Sequence, residues 1–127
     1  MRPCHTRAIE LDPEFVFASA ERGEIYRMRG GYELAIADFT RVIELDPEYA
    51  FAYAGRGATY RMRGEYELAI ADFTRAIELN SNYAFAYYNR GMIYKQRKEA
   101  EAARADFQRA ADLGNKDAKT ELFGESS

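Results

Sequence analysis

YELAIADFTR occupies residues 32–41, and the same ten residues stand again at 66–75. Sliding the chain against itself by 34 residues extends the match on both sides. Residues 12–45 align with 46–79 without a gap and differ only at Phe15/Tyr49, Val16/Ala50, Ser19/Tyr53, Glu21/Gly55, Glu24/Ala58, Ile25/Thr59, Gly31/Glu65 and Val42/Ala76. Residues 80–113 form a third, more diverged copy. TRAIELDP at 6–13 matches the tail of an upstream copy, so 1–11 reads as the end of a truncated repeat, and 114–127 reads as a short remnant. A period of this size marks units that bury their apolar faces only by stacking on neighbours.

Each unit divides into two helical patterns. In the second, Tyr53, Gly57 and Tyr60 recur at helical spacing, Gly64 interrupts, and Tyr66, Ala69, Ile70, Phe73, Ala76 and Ile77 resume it. Asp46-Pro47 breaks the chain before the next unit, with proline close to a helix start. The unit is helix–turn–helix, and the whole chain reads as one all-α domain, an α-solenoid of stacked antiparallel helix pairs. Gly23, Gly57 and Gly91 allow close approach of the paired helix, Ala35, Ala69 and Ala103 are the small partners opposite, and Phe39, Phe73 and Phe107 reach the next unit.

These units resemble tetratricopeptide repeats. The family signature of an aromatic, Leu-Gly, Tyr, then Ala, an aromatic and a closing Pro is met by Tyr53, Arg56-Gly57, Tyr60, Ala69 and Phe73 in the second unit. The first has Ser19, Arg22-Gly23, Tyr26, Ala35, Phe39 and Pro47, and the third Tyr87, Arg90-Gly91, Tyr94, Ala103 and Phe107. Arg stands for the signature Leu in all three, and Ser81 and Asn115 stand for the closing Pro. The resemblance implies a right-handed superhelix whose concave face receives a peptide or helix of a partner protein.

Composition narrows the function classes. Eighteen Lys and Arg against 21 Asp and Glu give a net charge of −3, which argues against bulk attraction to nucleic acid. Cys4 is the single cysteine and His5 the single histidine, too few for a structural zinc site. No apolar run approaches the ~20 residues of a membrane helix, and the N-terminus has no apolar signal core. A cytoplasmic location is expected if Met1 is the natural start. No cofactor is expected. Asp38/Arg41, Asp72/Arg75 and Asp106/Arg109 have the look of acid–cation pairs. Copied into every unit, they read instead as solvated i,i+3 pairs worth a few tenths of a kcal/mol. With no phosphate loop, HExxH or nucleophile motif, the chain does not read as an enzyme.

The first helix of each unit has a second face. It carries Phe17, Ala20, Glu21, Glu24, Arg27 and Met28; then Phe51, Ala54, Gly55, Ala58, Arg61 and Met62; then Phe85, Tyr88, Asn89, Met92, Lys95 and Gln96. The resemblance makes this the groove. Phe and Met offer an adaptable apolar floor, Tyr88 an anchor and Asn89 a partner for a ligand backbone. Phe17, Phe51 and Phe85, identical in every copy, read equally well as packing residues. Arg27, Arg61 and Lys95 form a basic ladder, read as a helix-dipole contact or as a preference for acidic partner segments. The family's grip on chaperone C-terminal tails uses Lys and Asn where this chain has Ala20, Glu24, Gly55 and Phe85, with only Asn89 agreeing, so that ligand is not expected.

At the downstream end, Arg104, Ala102 and Ala111 replace Ile70, Leu68 and Ile77, and a capping helix is expected over 115–121, anchored by Leu122 and Phe123. The upstream end lacks a partner helix. That leaves two readings: a fragment of a longer array, or homo-association through the uncovered end. The leading function is a partner-binding scaffold. The alternative is a structural or self-assembling segment that associates through its end faces.

Overall fold

A computed structural model describes residues 13–124. The expected upstream tail, with Cys4 and His5, lies outside the described residues. Those described form seven helices and no strand: α1 (Pro13–Met28), α2 (Tyr32–Leu45), α3 (Ala50–Met62), α4 (Tyr66–Leu79), α5 (Ala84–Gln96), α6 (Ala100–Asp112) and α7 (Lys116–Phe123). Helices pack as pairs, α1 with α2, α3 with α4 and α5 with α6, and each pair leans on the next. The fold is an all-α solenoid.

Two kinds of turn build it. Within a pair, the helix ends in a left-handed residue: Gly30 at φ 85° and Gly64 at φ 79°. The amide of Gly31 then donates to the carbonyl of Tyr26 at 2.8 Å, and that of Glu65 to Tyr60 at 2.9 Å, closing orphan carbonyls as a Schellman cap does. Between pairs, the side chain of Asp46 accepts the Glu48 amide at 3.2 Å, and Asn80 accepts that of Asn82 at 3.1 Å. This side-chain turn explains why Ser81 replaces Pro47 harmlessly: the polar residue before it holds the turn. Tyr53 and Tyr87 tie their helices to the same turns, donating to the carbonyls of Pro47 and Ser81 at 2.9 and 3.2 Å.

Phe39 and Phe73 are fully buried, each contributing about 1.5–3 kcal/mol. Phe39 lies between Gly23 of its own pair and Gly55 of the next. A Cβ built on Gly23 would stand 3.1 Å from the ring, and one on Gly55 only 2.4 Å. Helix approach is thus set by one ring against two glycines. The first helices also meet one another, α1 with α3 and α3 with α5, whereas no comparable contact joins α2 to α4 or α4 to α6. Closer spacing on that side curves the stack toward the first helices.

The expected i,i+3 surface pairs do not exist. Asp38, Asp72 and Asp106 are buried, and each accepts two hydrogen bonds from an arginine of the paired helix. Arg56 Nε and Nη2 reach Asp72 at 2.8 and 3.0 Å, and Arg90 reaches Asp106 at 2.8 Å through both nitrogens. The remaining Nη1 crosses to the preceding pair, Arg56 to Thr40 Oγ1 at 3.2 Å and Arg90 to Thr74 Oγ1 at 3.0 Å. This is the use of the arginine that replaces the signature leucine: a planar fork matched to a carboxylate, with a spare donor for the neighbouring repeat. Arg75 and Arg109, freed of the aspartates, lie over the rings of Tyr53 and Tyr87, and Arg41 lies over Phe15.

The downstream cap also differs in detail from expectation. Asn115 caps α7 by accepting the Ala118 amide at 2.8 Å, and Ala118 packs on Ala111. Leu122 joins that cluster, but Phe123 is 76 % exposed and anchors nothing. Leu34 and Leu68 are also exposed, so Ala102 does not replace an inter-repeat contact.

Candidate functional site

The inner face of the stack is formed by α1, α3 and α5, and its residues fall into three bands across the helices. At the N-terminal ends stand Phe17, Phe51 and Phe85. Phe51 meets Phe39 and Phe85 meets Phe73 edge-on, with centroids 6.2 and 6.4 Å apart. Tyr49 and Tyr83, in the turns just before α3 and α5, tilt against the same rings. Phe17 is 56 % exposed and Phe85 38 %, so these side chains divide between packing and surface. Burial pushes the Tyr83 hydroxyl up to about 12, with Glu24 and Tyr49 adding to the effect.

The middle band is more closed than the sequence suggests. Ala20, Ala54 and Ala58 are buried and form part of the core rather than a groove floor. Their small size lets neighbouring first helices approach. Asn89 is buried too, and both ends of its amide are engaged: Nδ2 donates to the Phe85 carbonyl at 2.9 Å and Oδ1 accepts from Arg61 at 3.0 Å. Met92 and Tyr88 pack on the Phe107 cluster, Tyr88 with its ring 6.0 Å from that of Phe107. Glu21 is exposed and Glu24 half-buried.

At the C-terminal ends runs the basic ladder. Each cation has a partner within the chain: Arg27 binds Glu24 as an ion pair, Arg61 binds Asn89, and Lys95 Nζ meets Glu121 at 2.6 Å. The ladder is therefore a set of intramolecular pairs, for which the sequence showed only the cations. Beside it, Met28 is 72 % and Met62 52 % exposed, and Gln96 is exposed. Met28, Met62 and Phe17 are the open apolar surface of this face. Among the described residues no group of three His, Cys, Asp or Glu is placed to hold a metal ion, and no helix is long and apolar enough to cross a membrane.

Family profiles agree with this architecture. Residues 23–62 match one described as "TPR repeat", and residues 50–83 and 73–105 match two described as "Tetratricopeptide repeat". The second tetratricopeptide domain of human RPAP3, solved with the HSP70 peptide SGPTIEEVD, is 35 % identical over 84 % of this chain and 91 % of its own, with a TM-score of 0.77. The chain belongs to the tetratricopeptide repeat family. Its stack is also similar to the first such domain of RPAP3, bound to the HSP90 peptide SRMEEVD (28 % identity, 87 % and 90 % coverage, TM-score 0.81). The tetratricopeptide domain of Arabidopsis OM64 is 26 % identical, with 86 % and 92 % coverage and a TM-score of 0.82. No curated protein sequence matches the chain. At the positions the family uses for chaperone tails, this tetratricopeptide stack has Ala20 and Gly55 buried, Glu24 paired with Arg27, Asn89 paired with Arg61, and Phe85 against Phe73.

Proposed function

We propose that the chain is a non-catalytic protein-interaction scaffold that holds a peptide or helix of a partner protein on the inner face of the stack. The observation that carries this reading is the open apolar surface at both ends of the inner face, Phe17 and half-exposed Phe85 in the N-terminal band and Met28 and Met62 in the C-terminal band, on the side toward which the stack curves. Apolar side chains left open beside polar ones suit a partner's apolar anchors. Relatives of similar fold bind peptides, which supports a peptide partner in general. The paired state of Glu24 and Asn89 weighs against a chaperone tail, and the paired ladder leaves acidic preference to residues outside it.

Peptide display against the chain tests this. Selected binders should lose at least tenfold in affinity for a Phe17→Ser, Met28→Ser, Met62→Ser variant. All three side chains are more than half exposed, so folding should be preserved. Binders that hold the triple variant as tightly as the parent would sink the reading. A second reading, self-association, is favoured by exposed Phe17 and the shallow pocket it lines with Pro13, Val16, Asp46 and Tyr49. Sedimentation that stays monomeric at high concentration excludes it.

A further inference from the structure

The third repeat departs from the other two at one place in particular. Ala100 stands where the first and second units have Tyr32 and Tyr66, at the first position of the second helix. Tyr66 packs half-buried against the core of its unit. Around Ala100 the missing ring leaves a pocket of about 260 Å³, lined by Lys95, Lys98, Ala103, Arg104, Phe107 and Leu122 among others. Its floor is apolar. Helix α7 does not close it, because α7 has 8 residues where α3 and α5 have 13.

Its rim is cationic by substitution. Arg104 occupies the place of Ile36 and Ile70, and Lys98 occupies the place of Gly30 and Gly64. Lys98 keeps the left-handed turn, at φ 66°, in a conformation that side-chain-bearing residues avoid. A glycine would serve the turn better, as it does in the other two units. Three cations face one carboxylate there, Glu121, which is held by Lys95. The side chains of Lys98 and Arg104 have no ion-pair or hydrogen-bond partner among the described residues.

We infer that this pocket is a second binding site, distinct from the apolar side chains of the inner face, which seats an aromatic side chain of an acidic partner segment. The ring replaces the one that the repeat lacks, and the flanking carboxylates meet Lys98 and Arg104. The second unit shows the ring's place, filled there by Tyr66; the third unit keeps the neighbouring Glu99 and Glu101, Glu99 paired with Arg97, and lacks only the ring. Attraction at such an exposed rim is screened by salt, whereas burial of the ring is not.

The probe is an acetylated, fluorescein-labelled Glu-Glu-Tyr-Glu-Leu peptide, followed by fluorescence anisotropy with the full chain at low and high salt. Expected is saturable binding that weakens as salt rises, and at least tenfold weaker binding when Tyr is replaced by Ala or the three Glu by Lys. Two variants restore the other repeats' own residues and so should fold: Ala100→Tyr, which fills the seat, and Lys98→Gly with Arg104→Ile, which removes the rim. Each should weaken binding at least tenfold, while the Phe17→Ser, Met28→Ser, Met62→Ser variant binds as the parent does. Unsaturable binding, or binding unchanged by Ala100→Tyr, overturns the proposal. Loss in the inner-face variant alone also overturns it and leaves the groove reading standing. A tenfold gain on removing residues 125–127 would give the seat to the chain's own tail. A dimer dissolved by Lys98→Gly with Arg104→Ile would give it to a second copy. Either result overturns the proposal.

Discussion

At the scale of single residues, the most tightly packed glycine in the stack is Gly55. It lies in mid-helix, where Ala would ordinarily gain about 1 kcal/mol. Its added methyl, however, would meet the Phe39 ring at 2.4 Å, with the ring already fully buried. Overpacking costs about 1–3 kcal/mol, so Gly55→Ala should be destabilising by up to about 2 kcal/mol net, read as a lowered midpoint in urea. Sequence comparison marks Gly55 only as a place where copies differ, because its equivalents are Glu21 and Asn89. The periodic glycines, Gly23, Gly57 and Gly91, were legible from repetition, and each does meet the phenylalanine of its own pair. Gly55 was not legible, because its need arises from a ring in the previous repeat. Asn89 was misjudged for a related reason: a polar residue on a surface stripe looks available until its acceptor and donor are found.

Elements are held to one another by the arginine forks. Arg56 touches α2, α3 and α4 at once, through Thr40 and Asp72. Its side chain is 19 % exposed and that of Asp72 7 %. Asp72→Asn keeps the shape, removes the charge and strands the guanidinium, and should cost about 2–3 kcal/mol. The pair Arg22–Asp38 has the same geometry, but Arg22 is 58 % exposed, so water screens it and Asp38→Asn should cost less than Asp72→Asn. Urea unfolding of the two variants side by side checks the order, and equal losses would contradict it. The helices and their turns were legible in the sequence because apolar spacing, glycine and the Asp-Pro break all point the same way. The fork was not. An Asp three residues before an Arg invites a local pairing, while the partner stands 16 residues upstream on another helix, a spacing that has meaning only once the pair has been folded.

On the scale of the whole molecule, the inner face gathers aromatic hydroxyls that dislike ionising. Tyr83 is pushed up to about 12 by burial and by Glu24 and Tyr49 nearby, and Tyr49 and Tyr88 are raised as well. An unfolded tyrosine ionises near 10. The folded state therefore holds the proton longer, its advantage is complete below pH 10, and it is lost as pH rises through about 12. Thermal melts should show stability falling over that window, with a shallower fall in Tyr83→Phe. Curvature of the stack, and with it the division of the first-helix face into open Phe17, Met28 and Met62 and closed alanines, could not be read from spacing. Helical periodicity says which residues share a face, not how near the next helix lies. Because Thr40 and Thr74 occupy the same place in successive units, as do Arg56 and Arg90, excising residues 46–79 would bring Thr40 to Arg90 and re-form this one bond at the new junction. Arrays joined in this way keep the same arginine–threonine bond at each junction when they lengthen or shorten by whole periods.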